Sequence, residues 1–96
     1  MRVLVVEDEV LLAEQIKNHL LQQQFSVDLS HDGSDGLYKL TEYPYDLAII
    51  DIGLPKMDGL SLIRKVRASD IKTPVIVLTA RGSWQEKVQG LDAGAD

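Results

Sequence analysis

Acidic side chains follow apolar stretches of this sequence, and their types and positions suit metal and phosphoryl chemistry. Glu7 and Asp8 follow the first apolar stretch, whereas Asp51 and Thr79 stand at the ends of two later ones. A set of carboxylates without histidine or cysteine offers the oxygen ligands that suit a hard cation, above all Mg²⁺. An aspartate in such a set can also be the nucleophile toward a phosphoryl group. The hydroxyl of Thr79 could donate a hydrogen bond to the product.

These residues lie at the ends of predicted strands. The continuous apolar run at 3–6 predicts a strand that is covered on both faces. Residues 46–51, apolar in the middle and acidic at both ends, predict a further strand, and residues 75–78 predict another. Alternating polar and apolar residues at 25–29 predict a half-exposed strand near the edge of the sheet. Three of these four strands would carry Glu7, Asp51 and Thr79 at their carboxyl ends.

A helix is predicted after each strand, because apolar residues recur there at helical spacing. The four stretches with this spacing are 12–23, 37–43, 62–67 and 84–91. Strands that alternate with helices predict an α/β fold with right-handed crossovers and a parallel sheet covered on both faces. Ligands of such sheets bind beyond the carboxyl ends of the strands. The acidic residues are expected to converge there if the first and third strands are neighbours.

Each of these residues also has a purely structural interpretation. Glu7 and Asp8 precede a predicted helix, where capping and the helix dipole favour carboxylates. Asp51 could be a turn residue, and Thr79 could begin the next helix. The functional interpretation depends on the combination, because three strand ends carry residues that the same chemistry needs.

Other polar residues are predicted to have structural or solvent-exposed roles. The pair 58–59, Asp-Gly, is predicted to form a turn. Arg64, Lys65 and Arg67 are predicted to lie on the solvated face of the third helix. His31 follows the second strand and is expected to be structural or solvated.

The composition sets limits on the function. The 96 residues form one domain at most, with a net charge of −5 and no cysteine. Disulfides, thiolate metal sites and cysteine nucleophiles are therefore excluded. No apolar stretch is long enough to span a membrane, and the negative charge argues against nucleic-acid binding by these residues. Residues 1–60 hold four basic and eleven acidic side chains, so the acidic character is concentrated there.

Four blocks of the sequence resemble the receiver domain of two-component response regulators. They are Val3–Glu9, Asp46–Gly59, Pro74–Ala80 and Gly90–Asp96, and they extend along the whole chain. Residues 59–64 and 78–88 are similar to the receivers of OmpR/PhoB-type transcription factors, most of all to the PhoP type. The resemblance implies a flavodoxin-like, doubly wound parallel sheet with strand order 2-1-3-4-5.

The resemblance also implies a role for each acidic residue. Asp51 would accept a phosphoryl group from a sensor histidine kinase. Asp8, helped by Glu7, would bind Mg²⁺ together with Asp51 and the backbone carbonyl of Gly53. The protein would be a signalling phosphoacceptor, not an enzyme that turns over a separate substrate.

Further roles follow for the C-terminal part of the chain. Thr79 would act as the switch hydroxyl, and the small side chain of Ala80 would leave room for the phosphate. The fourth helix would form a homodimer face, with Lys87 and Asp96 in ion pairs.

Receivers also carry a lysine on a fifth strand, followed by a fifth helix, and the family spacing puts this lysine just past Asp96. Residues 1–96 are therefore expected to be a C-terminally incomplete receiver domain, without the fifth strand, the fifth helix or the DNA-binding output domain. The expected setting is cytoplasmic, with DNA contacted only through the output domain and no contact with a membrane.

Two other functions remain open at this point. One is an Mg²⁺-dependent phosphotransferase or phosphatase that uses the same aspartate. Such phosphatases usually need a second acid two residues after the nucleophile, where this chain has Gly53. The other is a receiver-like interaction module that no longer accepts phosphate, which the presence of Glu7, Asp8, Asp51 and Thr79 disfavours.

Overall fold

Strands and helices alternate along the chain as the sequence predicts. The computed structural model describes residues 1–78. The strands are Arg2–Val6 (β1), Ser26–Ser30 (β2), Leu47–Asp51 (β3) and Val75–Leu78 (β4). The helices are Val10–Gln22 (α1), Gly33–Glu42 (α2) and Gly59–Ala68 (α3). The predicted fourth helix lies outside the described residues. No helix within residues 1–78 has the length and apolar character needed to cross a membrane.

All strand pairs in this sheet are parallel, and the order is β2-β1-β3-β4. This order confirms the one implied by the family resemblance, and β2 is outermost, as its alternating sequence predicts. Val6 of β1 pairs with Ser30 on one side and with Ile50 of β3 on the other. The carboxyl ends of β1 and β3 are therefore neighbours.

Two apolar layers form the core, one on each face of the sheet. Val3 and Val5 point toward α1, whereas Leu4 and Val6 point toward α2 and α3. All four side chains are fully buried. A central parallel strand covered on both faces needs apolar residues at every position, which explains the continuous run at 3–6.

Aspartate caps start the two helices that cover the second face. Asp32 Oδ1 accepts a hydrogen bond of 2.7 Å from the Asp35 N–H, and Asp58 Oδ1 accepts one of 2.8 Å from the Ser61 N–H. The turn predicted at 58–59 is wrong, because Asp58 is the N-cap of α3 and Gly59 is its first residue. A side chain at Gly59 would overlap the Asp51 carbonyl oxygen, so this close approach requires glycine.

Arg67 also differs from its predicted role. Arg64 and Lys65 are exposed, as expected for a solvated helix face, but Arg67 is half-buried. Its Nη1 donates hydrogen bonds of 2.9 Å to the Ile71 carbonyl and 2.8 Å to the Thr73 carbonyl. Arg67 therefore fixes the loop that leads from α3 into β4.

Candidate metal and phosphoryl site

Three carboxylates meet at the carboxyl edge of β1 and β3. Glu7 directly follows β1, and Asp51 is the last residue of β3. Because the two strands are neighbours, their ends bring Glu7, Asp8 and Asp51 together. One carboxylate oxygen from each residue lies within 4.8 Å of the other two. The structure thus brings together the three acidic residues that the sequence singled out.

Glu7 is the buried member of this cluster, with only 3% of its surface exposed. Its Oε2 accepts a hydrogen bond of 3.2 Å from the Glu9 N–H. Burial raises the pKa of Glu7 from 4.5 to about 7, and the nearby Asp8 and Asp51 act in the same direction. A buried carboxylate with acidic neighbours lacks compensating charge, which a bound cation would provide.

The carboxylate of Asp51 is half-buried and is oriented by the loop that follows it. Its Oδ1 accepts a hydrogen bond of 3.2 Å from the Gly53 N–H. This bond engages Oδ1 and leaves lone pairs on both oxygens for a metal or a substrate. Gly53 thus lies beside Asp51, as the sequence predicts, while the use of its carbonyl as a metal ligand stays a prediction.

An open cavity of about 520 Å³ adjoins the cluster. Its acidic lining consists of Glu7, Asp8, Glu9 and Asp51, and its apolar lining consists of Leu12, Ile16 and Leu78. The size is sufficient for a small phosphorylated group, and the apolar wall lowers the polarity around the carboxylates.

His31 contacts the site in a way that the sequence did not predict. Its Nδ1 lies 2.9 Å from the Glu7 carbonyl oxygen. Since a carbonyl only accepts, this contact is a hydrogen bond when Nδ1 carries the proton. The Glu7 N–H also donates to the Ser30 carbonyl at 2.9 Å. The end of β2 thus fixes the backbone of Glu7, a relation that depends on the pairing of β1 with β2.

Four predicted site residues lie outside the described residues, namely Thr79, Ala80, Lys87 and Asp96. Their proposed roles therefore stay predictions.

The chemistry of the donor set fits Mg²⁺. The cluster offers three oxygen ligands and up to three negative charges, the set that a hard divalent cation prefers. In octahedral Mg²⁺ sites, neighbouring ligand oxygens are about 3 Å apart and opposite ones about 4.2 Å apart. The observed spacing of up to 4.8 Å is close to this range.

Comparisons with known proteins point to one family. A family model described as the response regulator receiver domain matches residues 3–96. The two-component response regulator PhoP of Pseudomonas aeruginosa is 51% identical over 96 residues. The virulence transcriptional regulatory protein PhoP of Salmonella choleraesuis is 53% identical over the same length. Both matches cover all of this chain but 43% of the relative, so the chain spans less than half the length of these proteins.

Solved structures agree with the sequence comparison. The Francisella response regulator 1452 receiver domain has a TM-score of 0.94 and 35% identity, over 99% of this chain and 78% of that one. A CheY-like receiver domain protein from Methanospirillum hungatei has a TM-score of 0.91 and 30% identity, over 99% of this chain and 76% of that one.

Proposed function

Since the chain belongs to the family of response regulator receiver domains, we propose that it accepts a phosphoryl group on Asp51 from a sensor histidine kinase. The observation that carries this proposal is the convergence of Glu7, Asp8 and Asp51 at one edge of the sheet. The family consists of signalling proteins. Its model matches residues 3–96, a range that includes all three carboxylates.

Mg²⁺ is the cofactor of the proposed reaction. Glu7, Asp8 and Asp51 would hold it with the backbone carbonyl of Gly53. When bound, Mg²⁺ supplies the positive charge that reduces repulsion between the Asp51 carboxylate and the phosphoryl oxygens. The raised pKa of Glu7 supports this assignment, because the site without a cation penalises the ionised form.

Asp51 is the nucleophile of the proposed transfer. One of its oxygens attacks the phosphorus while the bond between phosphorus and the kinase histidine nitrogen breaks, and the imidazole then takes a proton from solvent. The product is an aspartyl phosphate. The Gly53 N–H, which donates to Oδ1, holds the carboxylate in a fixed orientation during the attack. Thr79 and Ala80 would receive the phosphoryl oxygens, as the family resemblance implies.

The proposed signal controls transcription through a DNA-binding output domain. The Salmonella relative is described as a transcriptional regulatory protein. In this proposal, residues 1–96 form the receiver domain of such a regulator. Homodimerisation through the fourth-helix face, with Lys87 and Asp96, is proposed to couple phosphorylation to DNA binding.

Mass spectrometry of the intact protein tests the phosphoacceptor role. The protein is incubated with acetyl phosphate, with and without Mg²⁺, and the mass is followed over time. We expect one phosphoryl group per chain, formed only with Mg²⁺ and lost slowly. Asp51→Asn should abolish the adduct, because the amide is not a nucleophile toward phosphorus.

Asp46→Asn is the matched control, because Asp46 immediately precedes β3, at the end of the strand opposite to Asp51. This variant should be phosphorylated to the same extent as the protein with the original sequence. An adduct that survives Asp51→Asn would contradict the assignment. Rapid release of many equivalents of inorganic phosphate would instead indicate a phosphatase, and no adduct at all would indicate an interaction module.

A further inference from the structure

A basic groove follows the outer edge of β2, away from the acidic site. It has a volume of about 370 Å³. Arg2, Lys17 and Lys39 line it, together with Asp28 and the rings of Tyr43 and Tyr45. Residues 1–60 contain only four basic side chains, and three of them line this groove. This concentration of cations in the acidic part of the chain needs an explanation.

Hydrogen bonds and aromatic rings hold one wall of the groove rigid. The Arg2 Nη2 lies 2.8 Å from the Asp28 Oδ2, to which the Tyr45 hydroxyl also donates at 2.7 Å. The Arg2 guanidinium carbon lies 5.6 Å from the ring centre of Tyr43 and 5.1 Å from that of Tyr45. Because these contacts already order the surface, its side chains would lose less conformational entropy when a partner binds.

Lys17 and Lys39 add positive charge to the groove beyond that of Arg2, which is paired with Asp28. Lys39 Nζ donates to the Leu29 carbonyl at 2.6 Å and pairs with Asp35 at 2.9 Å, which leaves one of its three donors. Lys17 forms no ion pair within residues 1–78. The groove therefore has one cation in excess and one further donor.

Backbone groups of β2 also face this groove. The Ser26 N–H and the Ser30 carbonyl bond toward β1, to Met1 and Glu7 respectively. Because the peptide groups of a strand alternate in direction, those of Val27 and Leu29 point outward. The Leu29 carbonyl confirms this direction by accepting from Lys39. An incoming strand could therefore bond to both outward amides and to the Val27 carbonyl.

We propose that this groove binds an extended, acidic segment of a partner protein, which adds to β2 as a further strand. Main-chain bonds would set the position of the segment, as in other cases of strand addition. Val27 and Leu29 face α1, the helix that carries Lys17, whereas Asp28 and Arg2 belong to the α2 side with Lys39. Two consecutive acidic residues of the segment point to opposite faces, so one reaches Lys17 and the other reaches Lys39.

An NMR titration with a defined peptide tests this proposal. The probe is a blocked eight-residue peptide of threonine and valine with two adjacent glutamates at its centre. We expect saturable shifts at the amides of Val27 and Leu29. Lys17→Gln should raise the Kd about two- to fivefold, the effect of one partly exposed ion pair. Lys17→Arg, which keeps the charge, should bind like the unmodified protein.

Lys65→Gln is the matched control, because it removes one exposed positive charge from α3 and should leave the Kd unchanged. Two altered peptides separate the contributions of charge and main chain. Equal binding of a peptide with glutamines in place of glutamates would overturn the role of the lysines. Equal binding of a peptide with N-methylated backbone would overturn strand addition. The absence of a shift of the Val27 and Leu29 amide signals at millimolar peptide would also overturn the proposal. The role left for the lysines would then be to prevent other chains from pairing with the edge strand.

Discussion

Replacing Asp8 by asparagine should stabilise the metal-free protein and at the same time remove its response to Mg²⁺. Asp8 is exposed, and its carboxylate lies within 4.8 Å of those of Glu7 and Asp51. The substitution keeps the size of the side chain and removes one charge. Its two effects have opposite signs, so they can be separated in one experiment.

The repulsion can be estimated from the distance between the carboxylates. With the upper limit of 4.8 Å taken as the separation, two unit charges repel by roughly 3.5 kcal/mol at an effective dielectric constant of 20 and by about 0.9 kcal/mol in bulk water. For an exposed residue with two such neighbours, we take a total of about 2–3 kcal/mol. Asp8 also lies just before α1, and loss of its favourable interaction with the helix dipole costs about 0.3–1 kcal/mol. The net gain in the free energy of unfolding is about 1–2 kcal/mol.

Thermal unfolding at pH 8, with EDTA or with Mg²⁺, measures both effects. In EDTA, the gain corresponds to a rise in Tm of roughly 5–10 °C for a chain of this length. At a Mg²⁺ concentration ten times the Kd, binding stabilises the unmodified protein by about 1.4 kcal/mol. Asp8→Asn should lose most of this stabilisation, because one of three carboxylate ligands is gone.

Glu14→Gln is the control, because it removes one exposed charge from α1 outside the cluster. It should change Tm little in EDTA and keep the response to Mg²⁺. A lower Tm of Asp8→Asn in EDTA would refute the argument that repulsion dominates this cluster. An undiminished response of Asp8→Asn to Mg²⁺ would refute the assignment of Asp8 as a ligand.

Three further predictions concern pH and the stability of the fold. Because the folded protein raises the pKa of Glu7 from 4.5 to about 7, it binds the proton more tightly than the unfolded chain. Stability should therefore fall as pH rises from about 4.5 to about 7 in EDTA, and Glu7→Gln should flatten this slope in urea titrations. Tyr45→Phe should reduce the free energy of unfolding by about 1–2 kcal/mol, because it removes the hydrogen bond to the Asp28 carboxylate. The Tyr45 hydrogen bond, and to a smaller extent the contacts with Arg2, hold the pKa of Asp28 below its usual 3.8 despite burial. The destabilisation by Tyr45→Phe should therefore be present above pH 3.8 and shrink as pH falls below it. Gln24→Gly should raise Tm by a few degrees, because Gln24 has a φ of 67° at the end of α1. Gln23→Gly, at a φ of −86°, should not raise Tm.

Local sequence patterns predicted the helices and strands, because each pattern of polar and apolar residues depends only on residues that are close in the chain. The run at 3–6 was predicted as a buried strand, and Val3–Val6 are fully buried. The alternation at 25–29 was predicted as an edge strand, and β2 is outermost in the described sheet. The predictions that failed concern the two ends of α3, where Asp58 caps the helix and the loop that follows the helix folds back onto Arg67. Arg67 has the sequence context of a solvated residue, but the Ile71 and Thr73 carbonyls bind it.

The candidate site shows the same division. Residue types and their positions at predicted strand ends identified Glu7, Asp8 and Asp51 as possible metal ligands, because the combination of these carboxylates suits one metal site. The resemblance to receivers supplied their individual roles, and the family model that matches residues 3–96 confirmed the family. The contact of His31 with the Glu7 carbonyl was not predicted, since it exists only where β2 lies beside β1.

By itself, the sequence determined the alternation of strands and helices and the acidic residues at the strand ends, because apolar periodicity and side-chain chemistry are local properties. The tertiary structure decided which strand ends meet. Pairing of β1 with β3 brings Asp51 to Glu7 and Asp8, and packing then buries Glu7 and raises its pKa. The same sheet order leaves β2 at the edge, where Arg2, Lys17 and Lys39 from three separate elements line one groove. The alternation at 25–29 predicted an edge strand, but no local pattern of residues encodes which strands are neighbours, because that depends on how the helices pack across the sheet.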